Sequence, residues 1–334
     1  MENQTLTALP GIRVGHAQTE TGLSGCTVIL LEGGCAAGVD IRGGAPGTYG
    51  TEGLNPLNLV DRVHAVFLTG GSAFGLAVGD GVRRYLKDRG VGFQTEYGVV
   101  PIVCGAVIFD LGINRHGSPP DAALGIRACE SASTSPVEEG CVGAGCGATV
   151  GKLLGLDHAM KGGLGSHLLR TPSGLCVAAL VVVNPFGDVV DRASGRILAG
   201  CRTAPDKDEI LDSQQALLER KRLRGFSAGE NTVLGVIATN AAMGKVGLTK
   251  VAQMAHDGLA RSIVPCHTQY DGDTVFALSC GDLQDVEVSI VGSLAAQCLE
   301  AAVIRAVRAA RSRGGLPAAR DLTPAAPGRV GGGD

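Results

Sequence analysis

The chain has 334 residues, a formal net charge of -3, 52 glycines and no tryptophan. With 45% hydrophobic and 18% charged residues it is a foldable composition, far from the charged, apolar-poor signature of disorder. The glycines follow no G-X-Y period, which excludes collagen, and the mixed charges give no electrostatic support for a nucleic-acid or membrane-surface partner.

The longest apolar run, Leu175 to Val183, is far short of the roughly 20 residues of a spanning helix, so no transmembrane segment is expected. The opening Met-Glu-Asn-Gln-Thr has no basic region followed by an apolar stretch, so no signal peptide is expected. The eleven cysteines form no C-x-x-C, and several, such as Cys104, Cys176, Cys280 and Cys298, sit in apolar runs. They read as reduced, buried thiols of a cytoplasmic protein. Cys141 and Cys146 lack the nearby histidine pair of a metal site, so no metal is expected.

In chain order, short β-branched runs predict strands at Gly25 to Leu31, Ala65 to Thr69, Ile102 to Asp110, Leu175 to Val183 and Val233 to Thr239. Apolar spacing predicts helices at Ala73 to Arg89, Leu248 to Ile263 and Ser293 to Arg311, the last opened by a cap-type serine. Mixed strands and helices indicate a layered α/β or α+β domain. Thr203 to Glu230 is polar, helix-like at Glu209 to Arg224 and loosening at Gly225 to Glu230, so it reads as an exposed connector. Ser312 to Asp334, rich in Pro, Gly and Ala, reads as a disordered tail.

Several motifs lead nowhere. Gly143-Ala144-Gly145-Cys146-Gly147-Ala148 matches a dinucleotide fingerprint, but a polar loop precedes it where a strand is required. Gly151-Lys152 lacks the leading glycine and the Ser/Thr of a phosphate-binding loop. Gly70-Gly71-Ser72-Ala73-Phe74 bends like a nucleophile elbow but has Phe74 where glycine is needed, so Ser72 reads as a helix cap. The seven histidines are scattered. His267 lies near Asp271 and Asp273, yet each histidine alone reads as surface or satisfied core.

The informative junction is Asn231-Thr232, where the polar connector meets an apolar strand. If that peptide bond were cut, Thr232 would become a terminal residue. Its hydroxyl could then act as nucleophile, and its own α-amine, with a pKa of about 7.7–8, as base. From pattern alone, a threonine that starts a strand is ordinary.

Asn231-Thr232 followed by a hydrophobic strand and Ala238-Thr239-Asn240 resembles the self-cleavage site of one amidohydrolase family. That family includes DmpA-type aminopeptidases, β-peptidyl aminopeptidases and nylon-oligomer hydrolase. Five further blocks agree in order: Leu9 to Gly15, Val39 to Thr48, Leu68 to Leu76, Val182 to Asp188 and His267 to Thr274. The resemblance implies a four-layer α-β-β-α sandwich over residues 1–311. It also implies self-cleavage into 1–231 and 232–334, a tetramer of the processed heterodimers, a small peptide-like or oligoamide substrate, and no organic cofactor.

By the same resemblance Thr232 matches the nucleophile and Asn184 the amide beside the reacting carbonyl. Lys152 matches a lysine near the nucleophile, and Asp271 and Asp273 match the pair that contacts its amine and hydroxyl. Phe109 stands where the family often has tyrosine, so a substrate or oxyanion contact through that hydroxyl is missing. Aminopeptidase activity, acyl transfer as in the similarly folded ornithine acetyltransferases, and a non-catalytic binding role stay open as alternatives.

Overall fold

The computed structural model describes residues 2–220 and 231–322. Nine strands build its main sheet system: β1 (Arg13–Gln18), β2 (Gly25–Ile41), β3 (Thr48–Tyr49), β4 (Val63–Thr69), β5 (Val103–Val107), β6 (Gly163–Arg170), β7 (Cys176–Asn184), β8 (Thr232–Ala241) and β9 (Thr274–Leu283). Among the described residues five α-helices accompany them: α1 (Val78–Lys87), α2 (Ala122–Glu130), α3 (Ser213–Leu218), α4 (Lys245–Ser262) and α5 (Val288–Ala309).

The strand order is β6-β7-β8-β9-β2-β4-β5-β3, with β1 on β2. The long strand β2 serves two sheets. Its first half pairs with β1 and β4, and its second half, Ala36 to Ile41, pairs with Ser279 to Thr274 of β9. Pairs β4–β5 and β8–β9 are parallel, and in each a helix (α1, α4) lies between the two strands in the chain, as a parallel connection requires.

Side-chain alternation sorts the apolar residues into three layers. On β7, Val177, Ala179, Val181 and Val183 join a core with α4 and α5, whereas Ala178, Leu180 and Val182 face a second core between the sheets. On β4, Val66 and Leu68 enter that middle core, and Ala65 and Phe67 join a third with α1 and α2. Helices, sheet, sheet, helices: the four-layer α-β-β-α sandwich follows from period-two alternation on strands buried on both faces. Burial on both faces is also why Leu175 to Val183 reads as one unbroken apolar run. Helix α5 is long and apolar enough to cross a membrane by length and composition. Here Val291, Ala295, Leu299, Ala302 and Val303 pack it against the sheet.

Several boundaries differ from expectation. β2 does not stop at Leu31. Gly33 and Gly34 form a bulge, with Gly34 at φ +70°, and the strand runs on to Ile41. The helix expected from Ala73 starts as a 3-10 turn, Ser72–Ala77, and becomes α-helical only at Val78. Ser72 makes no side-chain cap there. Gly71 holds the cap position, and Ser72 itself sits at φ +52°. Helix α5 starts at Val288, five residues before the serine taken as its cap. Within the connector only Ser213–Leu218 is helical, and 221–230 lie outside the described residues.

The tail expected to be disordered from Ser312 is packed as far as Leu322, because its few apolar groups find cover. Leu316 and Ala318 are buried, Lys161 donates its backbone N–H to Pro317, and Ser312 Oγ donates to Asp321 at 2.6 Å. Residues 323–334 lie outside the described residues.

Leu180 lies fully buried in the middle core. Leu180→Ala should cost about 2–5 kcal/mol of stability, read as a lower denaturant midpoint.

Candidate active site

Thr232 opens β8 and is paired with Asn184, the last residue of β7. Asn231 is fully buried and Thr232 nearly so. Asn231 bridges in parallel to Asp271, and its carbonyl accepts the Gly272 N–H at 2.8 Å. The Thr232 hydroxyl donates to the same carbonyl oxygen. Gly272 has to be glycine: a Cβ there would stand 2.7 Å from both Thr232 Oγ1 and the Ala45 carbonyl oxygen. Asn231 Nδ2 donates to the Tyr270 carbonyl at 3.4 Å, and its buried Oδ1 has no hydrogen-bond partner among the described residues.

Beside Asn184, the strand partner of Thr232, Lys152 is buried with its ammonium among oxygens. It donates to Thr149 O, Thr149 Oγ1 and Asn184 O at 3.1 Å each and to Asn184 Oδ1 at 3.0 Å. Asn184 Oδ1 also accepts the Thr149 N–H at 2.9 Å. Donors crowd that oxygen, so the network sets the amide with Nδ2 as its donor end. Nδ2 donates to the Phe109 carbonyl at 3.2 Å. Phe109 thus enters the site through its backbone carbonyl.

Asp271 and Asp273 flank the junction. Asp271 Oδ1 accepts from Phe186 N at 3.1 Å, and Oδ2 from Thr268 N at 3.1 Å and Thr268 Oγ1 at 2.5 Å. Asp273 Oδ1 accepts from Val233 N at 2.8 Å, and Oδ2 from the backbone N–H and Nδ1 of His267 at 3.0 and 2.7 Å. The resemblance implied contacts with the amine and hydroxyl of Thr232. With the bond intact the nitrogen of Thr232 is an amide; the Asp273 carboxylate holds the next residue, Val233, and the Asp271 carboxylate holds Phe186 and Thr268. Burial, and then the charge of Asp273, push the Asp271 carboxyl up to about 6.

His267 is the residue that sequence reasoning set aside. It occupies φ +54°, and its ring meets His256 edge-on at 4.8 Å. Burial works against a charged ring at His267, but the hydrogen bond to Asp273, aided by Cys266, outweighs it and pushes the ring up to about 10. His256, which contacts the Asp40 carbonyl at 3.1 Å, is held down to about 4 by burial. The available signal was the shared block: His267 and Asp273 are six residues apart around a tight turn.

A pocket of about 210 Å³ adjoins this network, lined by Phe109, Ile113, Leu156, Arg115, Thr149 and Lys152 among others. Asp110 also lines it, a residue unassigned from the sequence. Its carboxylate accepts from Ser24 Oγ at 2.6 Å and Gly71 N at 2.7 Å, and burial pushes it up to about 6. All the residues singled out in the sequence therefore fall in one connected network: Thr232 to Asn184 by register, Asn184 to Lys152 and Phe109 by hydrogen bonds, Asp271 and Asp273 through Asn231 and Val233.

The fold is that of N-terminal nucleophile hydrolases. It matches a β-aminopeptidase from Burkholderia sp. (TM-score 0.69, 23% identity, 92% of this chain and 87% of that one). It also matches an L-aminopeptidase D-Ala-esterase/amidase from Ochrobactrum anthropi, described as a variant of that fold (TM-score 0.68, 20% identity, 92% and 86%). Residues 4–320 match the model of Peptidase family S58, and the chain belongs to that family. It is 40% identical to an uncharacterized aminopeptidase of Mycobacterium leprae, over 99% of this chain and 97% of the relative. It is 32% identical to a 6-aminohexanoate-oligomer endohydrolase of Kocuria sp., over 90% and 84%. The protein is an amide hydrolase.

The His267–Asp273 contact has a pH signature. The ring's folded value lies above its ordinary 6.5, so the stabilisation is fully present below 6.5 and is lost as pH rises through about 10. His267→Gln should lower stability by about 1.5–3 kcal/mol near neutral pH. In paired thermal melts that gap should close as pH passes about 10.

Proposed function

We propose that the chain cuts itself between Asn231 and Thr232 and then uses Thr232 as a one-residue nucleophile and base on small peptide-like or oligoamide substrates. The observation that carries this is the Thr232 hydroxyl lying against a buried Asn231 carbonyl whose oxygen already accepts the Gly272 N–H. Oγ1 attacks that carbonyl carbon, the C–N bond breaks as the nitrogen takes a proton, and the resulting ester is hydrolysed. Water's oxygen goes to the new Asn231 carboxylate, and Thr232 regains its hydroxyl and gains a free amine.

In turnover the amine takes the hydroxyl proton as Oγ1 attacks a substrate amide, then passes it to the leaving amine. Water releases the acyl group. Lys152, close behind Asn184, disfavours a second positive charge and keeps the amine available as base. Asn184 Nδ2 serves the oxyanion, and Asp273, bound to Val233 N, lies one residue from the new amine and orients it. The acyl part occupies the pocket beside Phe109. The names of the relatives, aminopeptidase and 6-aminohexanoate-oligomer endohydrolase, support the substrate class. Processed heterodimers assemble into a tetramer, supported by exposed apolar side chains such as Leu57, Leu59 and Tyr97. The unbridged cysteines fit a cytoplasmic setting.

Intact mass under denaturing conditions, with N-terminal sequencing, tests the cut. Fragments beginning at Met1 and Thr232 are expected, and Thr232→Ala should give one unsplit, inactive chain. Splitting of that variant at the same bond would refute the mechanism. Asn184→Ala, assayed on material that has been processed, should lower kcat by about 10²–10³-fold.

A further inference from the structure

Strand β2 passes from one sheet to the other at its bulge, where register with β4 shifts between Leu30 and Cys35. Just beyond, Ala36 pairs with Ser279 of β9. One step further along this antiparallel ladder Cys35 meets Cys280, and their Sγ atoms are 2.7 Å apart. Facing residues of antiparallel strands have Cα atoms about 4.5–5.5 Å apart, inside the span that a disulfide bridges. Other buried thiols behave differently: Cys26, Cys104 and Cys298 donate to backbone carbonyls.

The pair is reachable. A pocket of about 410 Å³ is lined by both cysteines together with Leu31, Arg62, Ala242 and Met243, and Cys280 is partly exposed. Arg62 is held over this corner by hydrogen bonds from Nη1 to Gly34 O at 2.9 Å and Gly33 O at 3.4 Å. The hydrogen bond between the two sulfurs lowers the Cys35 thiol against the effect of burial, and Arg62 adds to the lowering. Cys35 follows directly on Gly33 and Gly34, whose carbonyls hold the Arg62 guanidinium, and that cation favours a thiolate at Cys35.

We propose that Cys35 and Cys280 are a peroxide-sensitive dithiol that closes into a disulfide. The Cys35 thiolate attacks a peroxide oxygen, the O–O bond breaks, and Cys35 becomes a sulfenic acid as hydroxide leaves. The Cys280 sulfur then attacks Cys35 sulfur, water leaves, and the S–S bond forms. Both thiols are oxidised by one electron each, and hydrogen peroxide is reduced to two waters. A thiol reductant reverses the step by exchange.

The location gives the bridge a consequence. Cys35 lies before the Asn231–Thr232 junction and Cys280 after it, so the disulfide ties the two processed pieces covalently. It also clamps β2 to β9, the strand that begins directly after Asp273. The tie between pieces rests on the self-cleavage proposed above; the disulfide itself does not.

The test is to treat the native protein with hydrogen peroxide, alkylate it, and map peptides without reduction. A peptide linking Cys35 to Cys280 is expected, with free thiols falling by two. On a non-reducing denaturing gel the processed protein should run as one full-length species that separates on adding dithiothreitol. The Thr232→Ala chain should show the same linked peptide, so failure of the bridge and failure of the cut are read apart. Cys35→Ala and Cys280→Ala, kept reduced, should retain activity but form no full-length covalent species after peroxide. Survival of all eleven thiols, or a linked peptide joining a different pair, would overturn the proposal.

Discussion

The peptide between Asn231 and Thr232 is held inside the fold, at the first residue of a strand that has a neighbour on each side. β8 is hydrogen-bonded to β7 and to β9, so the position of Thr232 depends on two ladders rather than on the chain that precedes it. A break at that bond leaves both ladders intact. The proposed nucleophile would therefore stay where it was before the cut, and the groups built around the junction would serve again in turnover.

Those groups are charged and buried, which is costly unless every charge is answered. Lys152 is answered by three oxygens of Thr149 and Asn184 and a fourth from the amide it orients. Asp271 and Asp273 are answered by backbone N–H groups and by Thr268 and His267. Strong bonds to ionised groups at low dielectric hold the site rigid, and they also make it sensitive to pH. The Asp273–His267 contact extends this order from the junction to His256 and to the Asp40 end of β2.

β2 links the two halves of the architecture. Its N-terminal half faces α1 and α2 across one sheet, and its C-terminal half runs to Ile41 opposite Thr274, beside the site. The bulge at Gly33 and Gly34 lets one strand serve two twisted sheets. It also leaves Cys35 and Cys280 facing each other at the far end of the pair that leads to Asp273.

Composition, alternation and helical spacing were enough to determine a layered mixture of strands and helices, because burial on a pleat or a helix face leaves a local periodic trace. Leu175 to Val183 and Val233 to Thr239, buried on both faces, left a different local trace, a short unbroken apolar run of strand length. The site residues had no such trace: Thr232, Asn184 and Lys152 are individually ordinary, and only the order of blocks shared with a family singled them out. Tertiary structure alone decided that β2 continues past its glycines and that a tail poor in pattern buries Leu316 and Ala318. Each of these depends on which distant surface covers a residue, and pairing across the chain is a matter of three-dimensional closure that local spacing does not encode.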